Sequence, residues 1–418
     1  MSVDEFINRE RTWMRSASML PRAARLTPPG SQTNAKAPLE LQLGAGPNFF
    51  ERADGARVWD VDGNEYIDFQ AALGPIILGH RHPVIDKAVS EQLQRGVLFS
   101  LPCPLEARLA GTLVSIFGWA AWARFFKSGS DANTAAVRLA RARTGRSVII
   151  SCAYNAWDDW WLGKHLEAPS WARTAGVPAN LAGLVHDVPY GDTSALELLV
   201  ERHADDLAGL VLAPALEDRP LDATFLRRAR ELADAHGAVL VLDEVKMGFR
   251  LGLRGGHGIA DVEPDLAVFA KAMANGYPIA ALVGTEPLAE DLRRTFITGT
   301  YNGEMLSMAA AVATLEILQQ GEVYDHLHDL GTTFMADLAR VVRETGLPAR
   351  VGGHPAVFCL VFDRADDDRS RALQRRFFVE LIRQGVFSCG SFELSAAHRR
   401  EDVEIAITAA RRTAQRVE

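Results

Sequence analysis

One stretch constrains this chain more than any other: Val239-Leu-Val-Leu-Asp-Glu-Val245. Four apolar residues, half of them β-branched, run without a polar break into a carboxylate. A run this apolar suits a strand covered on both faces, as in a parallel sheet. Ligands of such sheets bind outside the carboxyl ends of the strands, where Asp243 would project. A second run, Leu266-Ala-Val-Phe-Ala270, leads into Lys271. An acid and an amine at two strand ends suit a cofactor that wants an acid near one atom and an amine near another. Each residue also has a plainer explanation: Asp243 as a cap for the next loop, Lys271 as a surface lysine.

The rest of the chain frames this pair. Apolar strands are predicted at 148–151, 207–212, 239–242, 266–269 and 279–283, alternating with helical stretches, which is the signature of a doubly wound α/β domain. Before them, residues 4–18 read as one amphipathic helix and 48–69 as a small β-meander with turn signals at Ala53-Asp-Gly55 and Val61-Asp-Gly63. A helix is predicted from 83 to 95. After Asn302 the chain becomes mostly helical (305–319, 324–345), with short strands at 357–362 and 386–387 and a last helix from 401. The charged run Asp363-Arg-Ala-Asp-Asp-Asp-Arg369 reads as a solvated loop. The expected division is an N-terminal segment (1–68), a large cofactor-binding domain (69–301) and a C-terminal small domain (302–418). The first and last of these together form an α+β unit.

Composition narrows the function class. With 418 residues, 48% hydrophobic and 23% charged, the chain is an ordinary globular protein long enough for two compact units. A net charge of −8 and a pI near 5.8 argue against nucleic-acid binding, which needs basic surface. The cysteines at 103, 152, 359 and 389 have no metal-ligand spacing and read as reduced, buried thiols of a cytoplasmic protein. No apolar window is long enough to span a bilayer, so no membrane partner is expected.

A third element joins the acid and the amine. Lys127-Ser-Gly-Ser-Asp-Ala-Asn133 opens a helical stretch at 134–144. Small residues at a helix start leave backbone N–H groups free for an anion such as phosphate, though ordinary capping explains most such openings. Tyr154 follows the strand at 148–151 and would lie at the same sheet edge, either in the core or stacked on a planar ligand. Phosphate cradle, acid, amine and ring together describe a site for pyridoxal 5'-phosphate. A carboxylate at the pyridine nitrogen keeps the ring an electron sink, and a lysine serves as Schiff-base partner and general base.

In Trp59-Asp-Val-Asp-Gly-Asn-Glu-Tyr-Ile-Asp68, Leu78-Gly-His-Arg-His-Pro83, Ser128-Gly-Ser-Asp-Ala132, Asp243-Glu-Val245 with Gly248-Phe-Arg250, Lys271, Gly299-Thr300 and Phe392-Glu393, the chain resembles the class III, fold-type I pyridoxal-phosphate aminotransferases. Within them it is most similar to the glutamate-1-semialdehyde aminomutase subgroup. The resemblance implies Lys271 as the Schiff-base lysine and Asp243 on the pyridine nitrogen. It places Tyr154 on the ring, Ser128, Gly129 and Ser130 at the phosphate, and Asp218 near the phenolic oxygen. It also implies a homodimer in which Thr300 reaches the phosphate of the neighbouring subunit.

The departures bear on the substrate. Where the aminomutases hold a substrate carboxylate with serine and arginine, this chain has Thr33 and Lys36; lysine lacks arginine's bidentate fork. The stretch Trp157-Asp-Asp-Trp-Trp161 and the acid Glu393 suit a polyhydroxylated, cationic substrate, with rings stacking on sugar faces and acids pairing with ammonium groups. Packing of a loop explains the tryptophans equally well. The expected partners are a small-molecule amino donor and a carbonyl acceptor of the aminosugar or aminoglycoside kind. An aminomutase or a cofactor-dependent epimerase would use the same machinery, and a non-catalytic binding protein would not need Lys271.

Overall fold

A computed structural model describes residues 2–28, 30–36, 46–166, 172–363 and 368–417. The chain forms two compact units: Met1–His82 with Glu217–Pro220 and Glu322–Glu418, and Pro83–Leu216 with Leu221–Gly321. The larger unit is an α/β domain, and the helix Met305–Leu318 belongs to it.

In the smaller unit β1 (Phe50–Asp54), β2 (Arg57–Asp60) and β3 (Glu65–Asp68) form the expected meander. Asp54 pairs with Arg57 across a tight turn in which Gly55 takes a φ of 54°. The single helix predicted at 4–18 is instead two, Val3–Ile7 and Met14–Leu26. Ser2 and Glu5 close a capping box on the first, and the chain leaves it at Asn8.

The larger unit holds β4 (Trp122–Phe126), β5 (Val148–Cys152), β6 (Val185–Asp187), β7 (Leu207–Leu212), β8 (Val239–Asp243), β9 (Leu266–Phe269) and β10 (Ala280–Gly284). They form one sheet in the order β4-β10-β9-β8-β7-β5-β6. Pairing is parallel from β6 through β5, β7 and β8 to β9, and β10 is antiparallel to β9 and β4. Two reversals leave β4 running in the same direction as β9. Hence the segment after β4 meets the loops after β5, β8 and β9 at one edge.

The apolar run in β8 behaves as its composition demands. Val239 and Val241 join the core on one face of the sheet, Leu240 and Leu242 the core on the other. By the same alternation Asp243 points to the face of Val239 and Val241. That face is covered by the helix Gly129–Thr144, whose inward side is mostly small (Ala132, Ala135, Ala136, Ala140) and so lies close to the strands.

The remaining strands belong to the smaller unit: β11 (Ala349–His354), β12 (Val357–Phe362), β13 (Val386–Phe387) and β14 (Ser391–Glu393). β13 extends the meander in parallel with β3, while β11, β12 and β14 form an antiparallel sheet. Most of the charged run 363–369 lies outside the described residues. Among the described residues no helix is long and apolar enough to cross a membrane.

Candidate active site

At the carboxyl edge of the larger sheet, Asp243 is the last residue of β8 and is buried. One of its oxygens, Oδ2, accepts from Asn133 Nδ2 at 2.9 Å and from Asn155 Nδ2 at 2.8 Å. The other, Oδ1, accepts from the Val245 amide at 3.1 Å. Burial pushes the carboxyl up to about 6, against the pull of Asn155, the Val245 N–H, Asn133 and the Lys271 charge. It is therefore ionised at neutral pH, with acceptor capacity left for a cationic partner.

Lys271 follows β9 and opens the short 3-10 segment Lys271–Ala274. Its φ is 45°, in the left-handed region that a side chain with a Cβ seldom occupies. Such backbone conformations cluster at working sites, because the surrounding fold must hold them in place.

The helix Gly129–Thr144 starts earlier than its apolar pattern predicts, because Ser128 caps it by accepting from the Asp131 amide. A Cβ at Gly129 would lie 2.7 Å from a methyl of Val245, two residues past Asp243. Glycine alone lets this helix start close against the Asp243 loop. Ser130 hydrogen-bonds the Tyr154 hydroxyl, and burial still raises the phenol, keeping it protonated. The Tyr154 ring is exposed and stands edge-on to Trp161 at 5.0 Å.

Thr300 is exposed and opens the 3-10 segment Thr300–Gly303. With Lys127, Asp131, Thr134, Asp158 and Tyr301 it lines a cavity of about 500 Å³. Of the tryptophan stretch, Trp157 is 69% exposed, whereas Trp160 and Trp161 are part of the core. Trp157 and Asp158 are thus what this stretch can offer a ligand.

The other predicted residues lie in the smaller unit. Lys36 lines a cavity of about 780 Å³ there, beside Arg52, Asp68, Gln70 and His80. Thr33 lies just before the turn Asn34–Lys36. Asp218 pairs with Arg219 at 3.2 Å. Glu393 is buried in β14 and accepts from Ser391 Oγ at 3.3 Å.

Sequence reasoning missed Asn133 and Asn155. Asn133 carries no periodic signal of its own, although its place on the small-residue face of a helix was a clue. Asn155 is the residue directly after Tyr154, and a polar side chain there marked the same loop.

These groups fit pyridoxal phosphate. An ionised, buried carboxylate suits the pyridine nitrogen, an amine follows the adjacent strand, and a helix start without a Cβ leaves N–H groups open to phosphate.

The profile of the family described as aminotransferase class-III matches residues 43–396. Glutamate-1-semialdehyde 2,1-aminomutase of Thermus thermophilus is 37% identical over 396 residues, covering 88% of this chain and 92% of that protein. The 2'-deamino-2'-hydroxyneamine transaminase of Streptomyces kanamyceticus is 34% identical over 376 residues, with 90% of each covered. Among solved structures, the internal aldimine form of FumI from Sphingopyxis sp. MTA144, with pyridoxal phosphate, superposes with a TM-score of 0.87. It is 32% identical, and 96% of this chain and 95% of that one are covered.

Proposed function

The chain belongs to the class III aminotransferase family, and on that premise we propose that it moves an amino group from a small-molecule donor to a carbonyl carbon of an aminosugar or aminoglycoside. Its cofactor is pyridoxal phosphate. When bound, that group supplies an aldehyde for the incoming amine and a ring that withdraws electrons from the reacting carbon.

The chain's own residues divide the work around it. Asp243, ionised at neutral pH, holds a proton on the pyridine nitrogen. Lys271 would be the amine that holds the cofactor's aldehyde end, and its ε-nitrogen would be the group that takes up and returns the proton. Gly129 and Ser130 present N–H groups to the phosphate, with the Ser128 hydroxyl beside them, and Tyr154 covers the ring. Thr300 serves the phosphate of a second copy. The exposed apolar residues Leu93, Phe99, Leu101, Phe296 and Tyr301 give the homodimer a surface to bury. We place this dimer in the cytoplasm, although of the four cysteines expected to be buried Cys152 is, Cys103 and Cys359 are half-buried and Cys389 is exposed.

The observation that carries the substrate class is Trp157, a large ring left 69% exposed next to the carboxylate of Asp158. A ring stacks on the apolar face of a sugar and an acid pairs with its ammonium groups. Similarity to a neamine-type transaminase supports the same class. The acids Asp218 and Glu393, with Thr33 and Lys36, are the further residues assigned to cofactor or substrate contact.

Purified protein loaded with cofactor is titrated with neamine-type aminoglycosides while the cofactor absorbance is followed. A saturable spectral change that W157A weakens several-fold is expected. Indifference to such compounds, with turnover of glutamate 1-semialdehyde instead, would sink the sugar reading and favour an aminomutase. The cofactor chemistry has its own control: Lys271→Ala should lose the yellow, borohydride-trappable chromophore and its turnover.

A further inference from the structure

The larger unit buries a second lysine behind Asn155. Lys164 lies in the 3-10 segment Gly163–His165, and its side chain is 2% exposed. Its ammonium donates to Ser151 Oγ at 3.0 Å, to the Ala153 carbonyl at 3.2 Å and to Asp187 Oδ1 at 2.5 Å. All three protons are used, and the charge also lies 4.6 Å over the Trp161 ring. Burial pulls this lysine's pKa down while Asp187 pushes it back up.

What matters is the direction of the bonds that continue from it. An ammonium only donates, so the Ser151 hydroxyl must accept on that side. The hydroxyl's single proton then goes to its other neighbour, Asn155 Oδ1, at 3.2 Å. With the Asn155 oxygen engaged, its Nδ2 faces Asp243 Oδ2 at 2.8 Å. Turning the Asn155 amide over would set its oxygen against the Asp243 carboxylate and leave the buried Ser151 hydroxyl proton without the acceptor it now has. Asn133 needs no such help. Its Nδ2 lies between two acceptors, the Asn155 carbonyl at 2.7 Å and Asp243 Oδ2, which fix its orientation directly.

We propose that Lys164 is a positioning residue for the cofactor-facing carboxylate: acting through Ser151, it fixes the Asn155 amide so that Asp243 always meets an N–H donor. This rests on the reading that Asp243 holds the pyridine nitrogen, but its first test does not need the cofactor. Asp187, on the edge strand β6, favours the charged form of the lysine against its burial. Lys271 is the charged group whose field also acts on Asp243, favouring its ionised form.

The experiment follows the Asp243 carboxyl by 13C NMR in cofactor-free protein labelled at aspartate, with D243N to assign the signal. In K164M its titration midpoint should rise by roughly one pH unit, as a hydrogen-bond donor to the ionised form is lost. K164R, which keeps an obligate donor, should return the midpoint towards that of the parent protein. S151A keeps the Lys164–Asp187 pair and cuts the relay, so it should raise the midpoint as K164M does; it decides the matter if K164M does not fold. An unmoved midpoint in folded S151A overturns the proposal and leaves Lys164 a tie between two strand ends. Cofactor affinity, measured on the same proteins, tests the underlying reading separately. If D243N binds pyridoxal phosphate as tightly as the parent, that reading fails even where the midpoint has moved.

Discussion

Asp243 and Lys271 reach the same sheet edge through register: Asp243 pairs with Val268, so only Phe269 and Ala270 separate its partner from Lys271. The carboxylate is held ionised at a cost. A rise from an ordinary 3.8 to about 6 corresponds to about 3 kcal/mol once the group is charged. The sign follows from the folded value lying above the unfolded one. Stability that the protonated acid contributes is present below 3.8 and is lost as pH rises through 6. Asp243→Asn should therefore stabilise the cofactor-free protein by a few degrees in melting temperature above pH 7, with the gain shrinking towards pH 5. The same change should abolish most transamination. A melting temperature that falls at pH 8 would contradict the energetic assignment.

The same midpoint governs loading. Below about pH 6 the free protein carries a neutral Asp243, which cannot pair with a protonated pyridine nitrogen. Cofactor affinity should be about tenfold weaker at pH 5 than at pH 7, since binding must then first remove a proton. Equilibrium dialysis across that range checks this, and D243N should flatten the profile.

How much of this was readable from the chain depends on what each residue answers to. Asp243 and Lys271 were legible because an unbroken apolar run has only one place to put a charge, at its end. The β-meander was legible from its turn residues. The three-residue β6 was too short for any periodic signal, and β4 was hidden because Trp122 and Phe126 continue an already apolar window. The Lys164–Ser151–Asn155 line was invisible for a different reason. It joins a strand, a loop and a 3-10 turn whose meeting depends on the tertiary fold. The tryptophan stretch read as one unit, yet the short helix Asp159–Leu162 turns Trp160 and Trp161 inward and leaves Trp157 outside.

Gly129 offers a steric test of the phosphate cradle. In Gly129→Ala the new Cβ would lie 2.7 Å from one methyl of Val245 and 2.9 Å from the other, so helix and loop must part. Overpacking of this kind costs about 1–3 kcal/mol. The expected result is a cofactor dissociation constant raised at least tenfold, read by dialysis. Shrinking the neighbour in Gly129→Ala/Val245→Ala should recover part of the loss. No recovery in the double variant would show that the N–H groups, not the spacing, were disturbed.

Glu304 tests how the Thr300 segment is held. Its carboxylate caps the helix Met305–Leu318, accepting from the Leu306 amide at 2.7 Å and the Ser307 amide at 3.2 Å, and it takes a 2.8 Å bond from Lys127. Burial pushes this carboxyl upward, but Lys127, Ser307 and the Leu306 N–H outweigh it and hold it below the usual glutamate value. A lowered folded value means the contribution is complete above the ordinary 4.5 and is lost as pH falls through the folded value. Glu304→Ala should cost about 1–3 kcal/mol at neutral pH, the combined loss of a cap and of an acceptor for a partly buried ammonium. Glu304→Gln keeps one acceptor and should lose less. Chemical denaturation at pH 7 and pH 4 checks both, and the gap between parent and Glu304→Ala should narrow at the lower pH. Because Glu304 follows the turn that carries Thr300, the alanine variant should also weaken cofactor retention if a second copy uses that threonine. Unchanged retention in a destabilised protein would separate the cap from the phosphate contact.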